Sequence, residues 1–178
     1  MAVVAEESSA KEANAWCAAI YPRLVGALSL ACGNRDDAEE LAQETLSRVW
    51  QRWDRLRDHP DIEGFAFRTG FNLVNSWWRH RAVVDRIDRL LRRNAPTGAD
   101  DADTVTDALA LRRAISHLPR RQREVIAYRY FLDCTVADTA VRMQCAEGTV
   151  KALTHQAIDA LRASGAVEMD DDGDADDG

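Results

Sequence analysis

Apolar residues recur every three to four positions through two long blocks, residues 13–93 and 106–163, and no stretch alternates as a half-buried strand does. That spacing restricts the chain to helices packed on helices, because each apolar stripe needs another stripe to cover it. Trp16, Ile20, Leu24, Leu28 and Ala31 form the first stripe, which Pro22 is expected to kink or restart. "CGNRDD" then offers a glycine stop and an Asn or Asp cap. The next helix, "DAEELAQETLSRVWQRW", puts Ala38, Leu41, Thr45, Val49 and Trp53 on one face, with Ala42 and Leu46 beside them. Glu40, Gln43, Glu44, Ser47 and Gln51 fall on its other face. "DRLRDHPDIEG" reads as a loop, and residues 62–81 as a third strong helix that Arg86–Arg93 can extend.

Breaks in this pattern give the domain organisation. "NAPTGADDADTV" (94–105) carries Pro, Gly and three Asp residues and reads as a flexible acidic linker. Residues 166–178 hold too few apolar groups to order themselves and read as a disordered tail. The expected architecture is all-α: a disordered 1–12, a helical domain at 13–93, the linker, and a second helical domain at 106–165.

Charge follows the same boundaries. The chain has 23 basic and 30 acidic residues. Seven of the acidic ones lie in the last eleven positions, so the first 167 residues hold 23 of each sign. Cys17, Cys32, Cys134 and Cys145 form no C-x-x-C pair, and the four histidines add no ligand cluster, so neither a metal nor another cofactor is expected. No nucleophile and base stand at a plausible elbow, and no Gly-rich phosphate loop is present, so no enzymatic activity is expected. The amino terminus lacks the apolar core of a signal peptide, and no apolar run approaching about 18 residues is evident. The reading is a reduced, cytoplasmic protein without membrane insertion.

Two helices carry candidate binding chemistry. Residues 135–162 fit a helix-turn-helix, with Thr135 capping the first helix, "QCA" turning, and Glu147 opening the second. Val150, Thr154, Ala157, Ile158 and Leu161 share an inward arc. Thr149, Ala152, His155, Gln156 and Asp159 point outward, with Lys151 at the edge. Small, amide and imidazole groups let a helix approach base edges closely; a plain packing motif is the alternative. Helix 62–81 shows two apolar rows, Ala66–Gly70–Leu73–Trp77 and Phe67–Phe71–Val74–Trp78, beside a polar face of Arg68, Asn72, Asn75 and Arg79, followed by Arg81. From Arg68 to Arg93 seven Arg residues face only Asp85 and Asp88. Cations beside aromatic surface suit single-stranded DNA, whose phosphates meet the arginines while bases stack. Both tryptophans fit the core as well; Trp78, nearer the polar face, is the better DNA candidate.

"LPRRQREVIAYRYFLDCTVADTAVRMQCAEGTVKALTHQAIDALR" resembles region 4 of bacterial sigma factors, specifically the extracytoplasmic-function (ECF) group of the sigma-70 family. "DAEELAQETLSRVWQRW" is similar to region 2.2, and "FAFRTGFNLVNSWWRHR" to regions 2.3 and 2.4. The resemblance spans about residues 13–163 and implies a region 2 bundle and a region 4 helix-turn-helix. It implies an alternative sigma factor that binds core RNA polymerase, recognises the −10 and −35 promoter elements and initiates transcription. Asp37, Glu40, Gln43 and Glu44 would then meet polymerase, although composition alone favours a solvated helix. Leu56, Arg68, Asn72, Asn75, Trp78, Arg79 and Arg81 would meet the downstream element as unpaired strand. Thr149, Lys151, Ala152, His155 and Gln156 would meet the upstream duplex. An anti-sigma factor wedged between the domains is a further implied partner. Departures from the family pattern are Leu153 and Gln156 in place of Arg, Ala146 in place of a capping Ser, Thr139 in place of Ile, Phe71 in place of a frequent Arg, and Leu56 where aromatics are common. Two other readings fit the sequence: a stand-alone helix-turn-helix regulator dimerising through 13–93, and a sigma-like decoy that binds an anti-sigma factor.

Overall fold

Capping and stop signals set the helix boundaries in the computed structural model, which describes residues 2–91 and 107–166. The expected linker 94–105 lies outside the described residues, as does all but the first residue of the expected tail 166–178. Helix α1 (Ala2–Cys32) ends at Gly33, whose φ of +81° favours glycine and whose N–H donates to the Ser29 carbonyl at 2.8 Å. Helix α2 (Arg35–Trp50) is capped by Asn34, whose Oδ1 accepts from the Asp36 and Asp37 N–H groups at 2.8 and 3.4 Å. A short α3 (Trp53–Leu56) precedes the long α4 (Ile62–Leu91), where Asp61 Oδ1 accepts from Gly64 N–H at 2.8 Å.

Three expectations change here. The helix begins at Ala2, so residues 2–12 of the expected disordered lead are helical. The alanine-rich segment has high helix propensity, and Ala13 is already buried in the core. Pro22 lies inside α1 without ending it, on an exposed position of the helix. Part of the expected loop "DRLRDHPDIEG" is helical, because Trp53 and Leu56 turn inward as α3.

Helices α1, α2 and α4 pack against one another around Leu24, Leu28, Ala42, Val49, Phe67 and Val74. Full burial of each large apolar side chain contributes roughly 1.5–3 kcal/mol. Gly70 marks the crossing of all three helices. A Cβ there would stand 3.1 Å from Leu28 Cδ2 and 3.3 Å from Thr45 Oγ1, so any larger residue makes these side chains shift by a few tenths of an ångström.

The second block contains α5 (Asp107–His117), α6 (Arg120–Ile126), a π-helical turn (Ala127–Phe131), α7 (Val136–Met143) and α8 (Glu147–Ala163). Thr135 caps α7 by accepting from Asp138 N–H at 3.0 Å, while its hydroxyl donates to Asp138 Oδ2 at 2.7 Å. Gln144 takes a left-handed conformation, φ 53°, and turns the chain into α8. Val125, Val150, Ala157 and Leu161 fill this block's interior.

The two domains do not stand apart. Their buried residues form one continuous cluster. Phe71 of α4 meets Tyr128 of the π turn with ring centroids 4.7 Å apart. Arg142 of α7 donates to Asp61 Oδ1 at 3.1 Å.

By length and composition, Glu7–Cys32 is apolar enough to cross a membrane, with a mean hydropathy of 1.4 over its best window. The sequence reading missed this because Tyr21, Pro22 and Arg23 interrupt the aliphatic residues Ile20, Leu24, Val25, Leu28 and Leu30 that supply most of the apolarity. Its Ile20, Leu24 and Leu28 side chains pack inside the bundle.

Candidate nucleic-acid interface

Helix α8 separates its two faces cleanly. Val150, Ala157 and Leu161 are buried, while Thr149, Lys151, Ala152, His155 and Gln156 are all exposed. The helix-turn-helix therefore gathers all five expected upstream residues on one open surface. His155 Nε2 stands 3.4 Å from Asp159 Oδ2 on the same face. Gln122 of α6 reaches across to it, its Nε2 donating to Gln156 Oε1 at 3.4 Å. No sequence spacing pointed to Gln122, because the contact joins residues far apart in the chain. Ala146 sits in an extended N-cap conformation (φ −71°, ψ 150°) but has no side-chain acceptor to offer.

Helix α4 presents a mixed face. Asn72, Arg79 and Arg81 are exposed, and Arg68 and Asn75 half-buried. Arg79 Nη2 donates to Ser76 Oγ at 2.8 Å, and Arg81 lies 5.0 Å from the Trp77 ring. Arg81 also pairs with Asp37 of α2 at 3.8 Å, joining the cationic row of α4 to the acidic face of α2.

Two downstream candidates are placed differently from expectation. Leu56 is only 8% exposed, because α3 turns it into the core beside Trp53; it offers no surface to DNA in this arrangement. Trp78 is half-buried at the junction with the second block. Its indole N–H donates to the Ala31 carbonyl at 3.3 Å, Trp77 meets it edge-on at 4.7 Å, and the Arg123 guanidinium lies over its ring at 4.6 Å.

On α2, Glu40, Gln43 and Glu44 are exposed and Asp37 partly so. Glu44 pairs with Arg48 at 2.8 Å. Trp50, two turns beyond Gln43, extends this face with an indole left 48% exposed. Its sequence signal was available, since it sits outside the apolar arc of Ala42, Leu46 and Val49.

Buried titratable groups cluster where the blocks meet. Arg123 is 5% exposed, and burial lowers its pKa. Burial also raises the Glu124 carboxyl and pushes the Tyr128 hydroxyl well above its ordinary range. Among the described residues, no group of three or more His, Cys, Asp or Glu side chains is arranged to hold a metal ion.

Comparison with known proteins matches both helical blocks. The sigma-70 region 2 family matches residues 18–84, and the sigma-70 region 4 family matches residues 108–161. The ECF RNA polymerase sigma factor SigL of Mycobacterium tuberculosis is 30% identical over 141 residues, covering 73% of this chain and 75% of that protein. The RNA polymerase sigma-E factor of Streptomyces antibioticus is 27% identical over 128 residues, covering 71% of this chain and 69% of that protein. Among solved structures, the sigma factor RpoE of Bartonella quintana, crystallised with the anti-sigma factor NepR, superposes with a TM-score of 0.73. The match covers 89% of this chain and 99% of that one at 21% identity, a likeness of fold.

Proposed function

The chain belongs to the ECF group of the sigma-70 family and is an alternative sigma factor, and on that premise we propose how its surfaces divide promoter recognition. Core RNA polymerase and promoter DNA are its partners. Asp37, Glu40, Gln43 and Glu44 on α2 dock on polymerase, with the exposed Trp50 as an apolar anchor at the end of that face. Arg68, Asn72, Asn75, Arg79 and Arg81 on α4 hold the unpaired −10 strand, phosphates on the arginines and base edges on the amides. Trp78 joins them when its ring is uncovered. Thr149, Lys151, Ala152, His155 and Gln156 on α8 enter the major groove of the −35 duplex. With Leu153 and Gln156 where arginines are usual, the upstream base preference differs from the family's common one.

The observation that supports this reading most is two chemically distinct faces on one chain. One is cationic and aromatic, the other small and polar, on separate helical blocks. A duplex reader acting alone needs only the second. Bond formation in RNA synthesis belongs to polymerase; this chain recognises and opens the start site, in the cytoplasm where both partners are found. The Bartonella protein was crystallised with an anti-sigma factor; an inhibitor of that class would, as the family resemblance implies, silence this chain by wedging between the blocks.

Purified chain added to core polymerase should direct transcripts from a limited set of duplex promoters. Asn72→Ala should impair opening while leaving recruitment to the −35 duplex intact. A chain that binds core polymerase yet opens no duplex start site would sink the reading. Tight duplex binding without polymerase would favour the stand-alone regulator, and core binding with no transcript the decoy.

A further inference from the structure

Two amide side chains meet where α6 packs on α8, and their contact has a direction. Gln122, half-buried on α6, donates from Nε2 to Gln156 Oε1 at 3.4 Å. A primary amide has one accepting end and one donating end. Whichever atom of Gln156 faces α6 therefore decides which atom is left for the open surface it shares with Thr149, Ala152 and His155.

The orientation of Gln122 follows from its place in α6. It is the third residue of that helix, where a glutamine oxygen ordinarily reaches back to the N–H of the N-cap residue. Here the N-cap is Pro119, which has no N–H. Gln122 Oε1 is accordingly buried with no hydrogen-bond partner among the described residues. Helical side chains lean toward the start of their helix, so this oxygen lies on the side of the first-turn N–H groups. Reversing the amide would set donors against donors. The NH2 group is thereby turned outward, and Gln156 answers it with its oxygen.

We propose that Gln122 is a positioning residue for upstream recognition: by holding Gln156 Oε1 toward α6, it leaves Gln156 Nε2 as the group that meets the base edge. The inference rests on the sigma-factor reading above and deepens it by naming the chemistry of one contacted base. In the major groove guanine shows acceptors at N7 and O6, whereas cytosine shows an N4 donor. An amino group presented alone favours guanine and disfavours cytosine. A glutamine free to turn would instead take adenine with both ends, its oxygen on N6 and its nitrogen on N7. Gln122 withholds that option.

The test uses the full-length protein assembled with core polymerase, in competition among promoters carrying each base pair in turn along the −35 element. Gln156→Ala identifies the contacted position as the one whose preference it erases. There the parent should favour guanine over cytosine by about three- to tenfold, the lower part of the range for a two-ended contact. Gln122→Glu sets an accept-only carboxylate beside Gln156, which then turns its NH2 inward and its oxygen to the groove, and the order should invert in favour of cytosine. Gln122→Met removes the tether and the unpaired buried oxygen at similar length, so it should fold as well as the parent. In that variant guanine should lose its advantage and adenine gain.

A packing role alone would lower binding to all four sequences together. Uniformly lowered or unchanged binding in both variants would overturn the inference while leaving the sigma-factor reading in place. So would a parent that prefers cytosine, or a Gln156→Ala chain that alters no position. A parent that directs no transcript with core polymerase would overturn the sigma-factor reading itself. Circular dichroism checks folding, and if Gln122→Glu does not fold, Gln122→Met decides.

Discussion

Restoring a cap to the reading helix should stabilise the second block measurably. Ala146 already holds the extended backbone of an N-cap, and its side chain is exposed, so serine fits there without displacing a neighbour. Thr149 and Val150 N–H groups donate to the Ala146 carbonyl at 2.9 and 3.2 Å, which anchors the first turn through backbone alone. A serine Oγ adds an acceptor for the Gly148 or Thr149 N–H, and such caps contribute about 1 kcal/mol over alanine. The gain is of particular use here because Gly148, in the first turn, has nothing within 4 Å of a Cβ position and weakens the helix start. For a chain of this size, about 1 kcal/mol corresponds to roughly 2–4 °C in Tm. Thr135, whose hydroxyl accepts from Asp138 N–H at 3.0 Å, is the internal reference, and Thr135→Ala should lose a similar amount. Thermal unfolding by circular dichroism measures both. If Ala146→Ser left Tm unchanged or lower while Thr135→Ala destabilised as expected, the cap reasoning for α8 would be wrong.

Lys151→Ala should weaken holoenzyme binding to all upstream sequences alike and reduce the salt slope by about 0.9. Gln156→Ala should instead relax preference at one base pair, by about 1–3 kcal/mol, as read by competition among promoter variants. Glu124 is held above its ordinary value of about 4.5 by burial, so the stability linked to its protonation is present below that value and lost as pH rises through the folded pKa. Glu124→Gln should therefore unfold at higher denaturant than the parent at pH 7, with the gap closing on acidification; a constant gap would refute the assignment. Burial raises the Cys32 and Cys134 thiols and keeps them inaccessible, whereas Cys145 is partly exposed. Alkylation at neutral pH followed by mass spectrometry should label Cys145 first and those two only on unfolding.

Most of the helical layout was legible because it rests on local physics. The caps at Asn34 and Thr135, the stop at Gly33 and the inward arcs of α2 and α8 depend on residues within one or two turns of each other. The exposed α8 face followed from the same periodicity. The misplacements have a common cause. Leu56 was assigned by family resemblance from a segment read as a loop, and Trp78 by position along a helix, but their surroundings are made by other elements: α3 folding inward, and Arg123 arriving from α6. The start of α1 was missed because alanine carries little amphipathic signal, and Gln122 because its partner is distant in the chain.

Periodicity and capping residues were sufficient to determine an all-helical chain, since a stripe of apolar side chains names its own secondary structure and its buried face; the sigma-factor reading came from the resemblance of the two motif blocks. They left undecided what lies on the surfaces turned away from that stripe. Packing of the second block on the first made that choice, placing Tyr128 on Phe71 and Arg142 on Asp61. Contacts of that kind depend on complementary shapes brought together across a long separation in the chain, and no local pattern of residues encodes them.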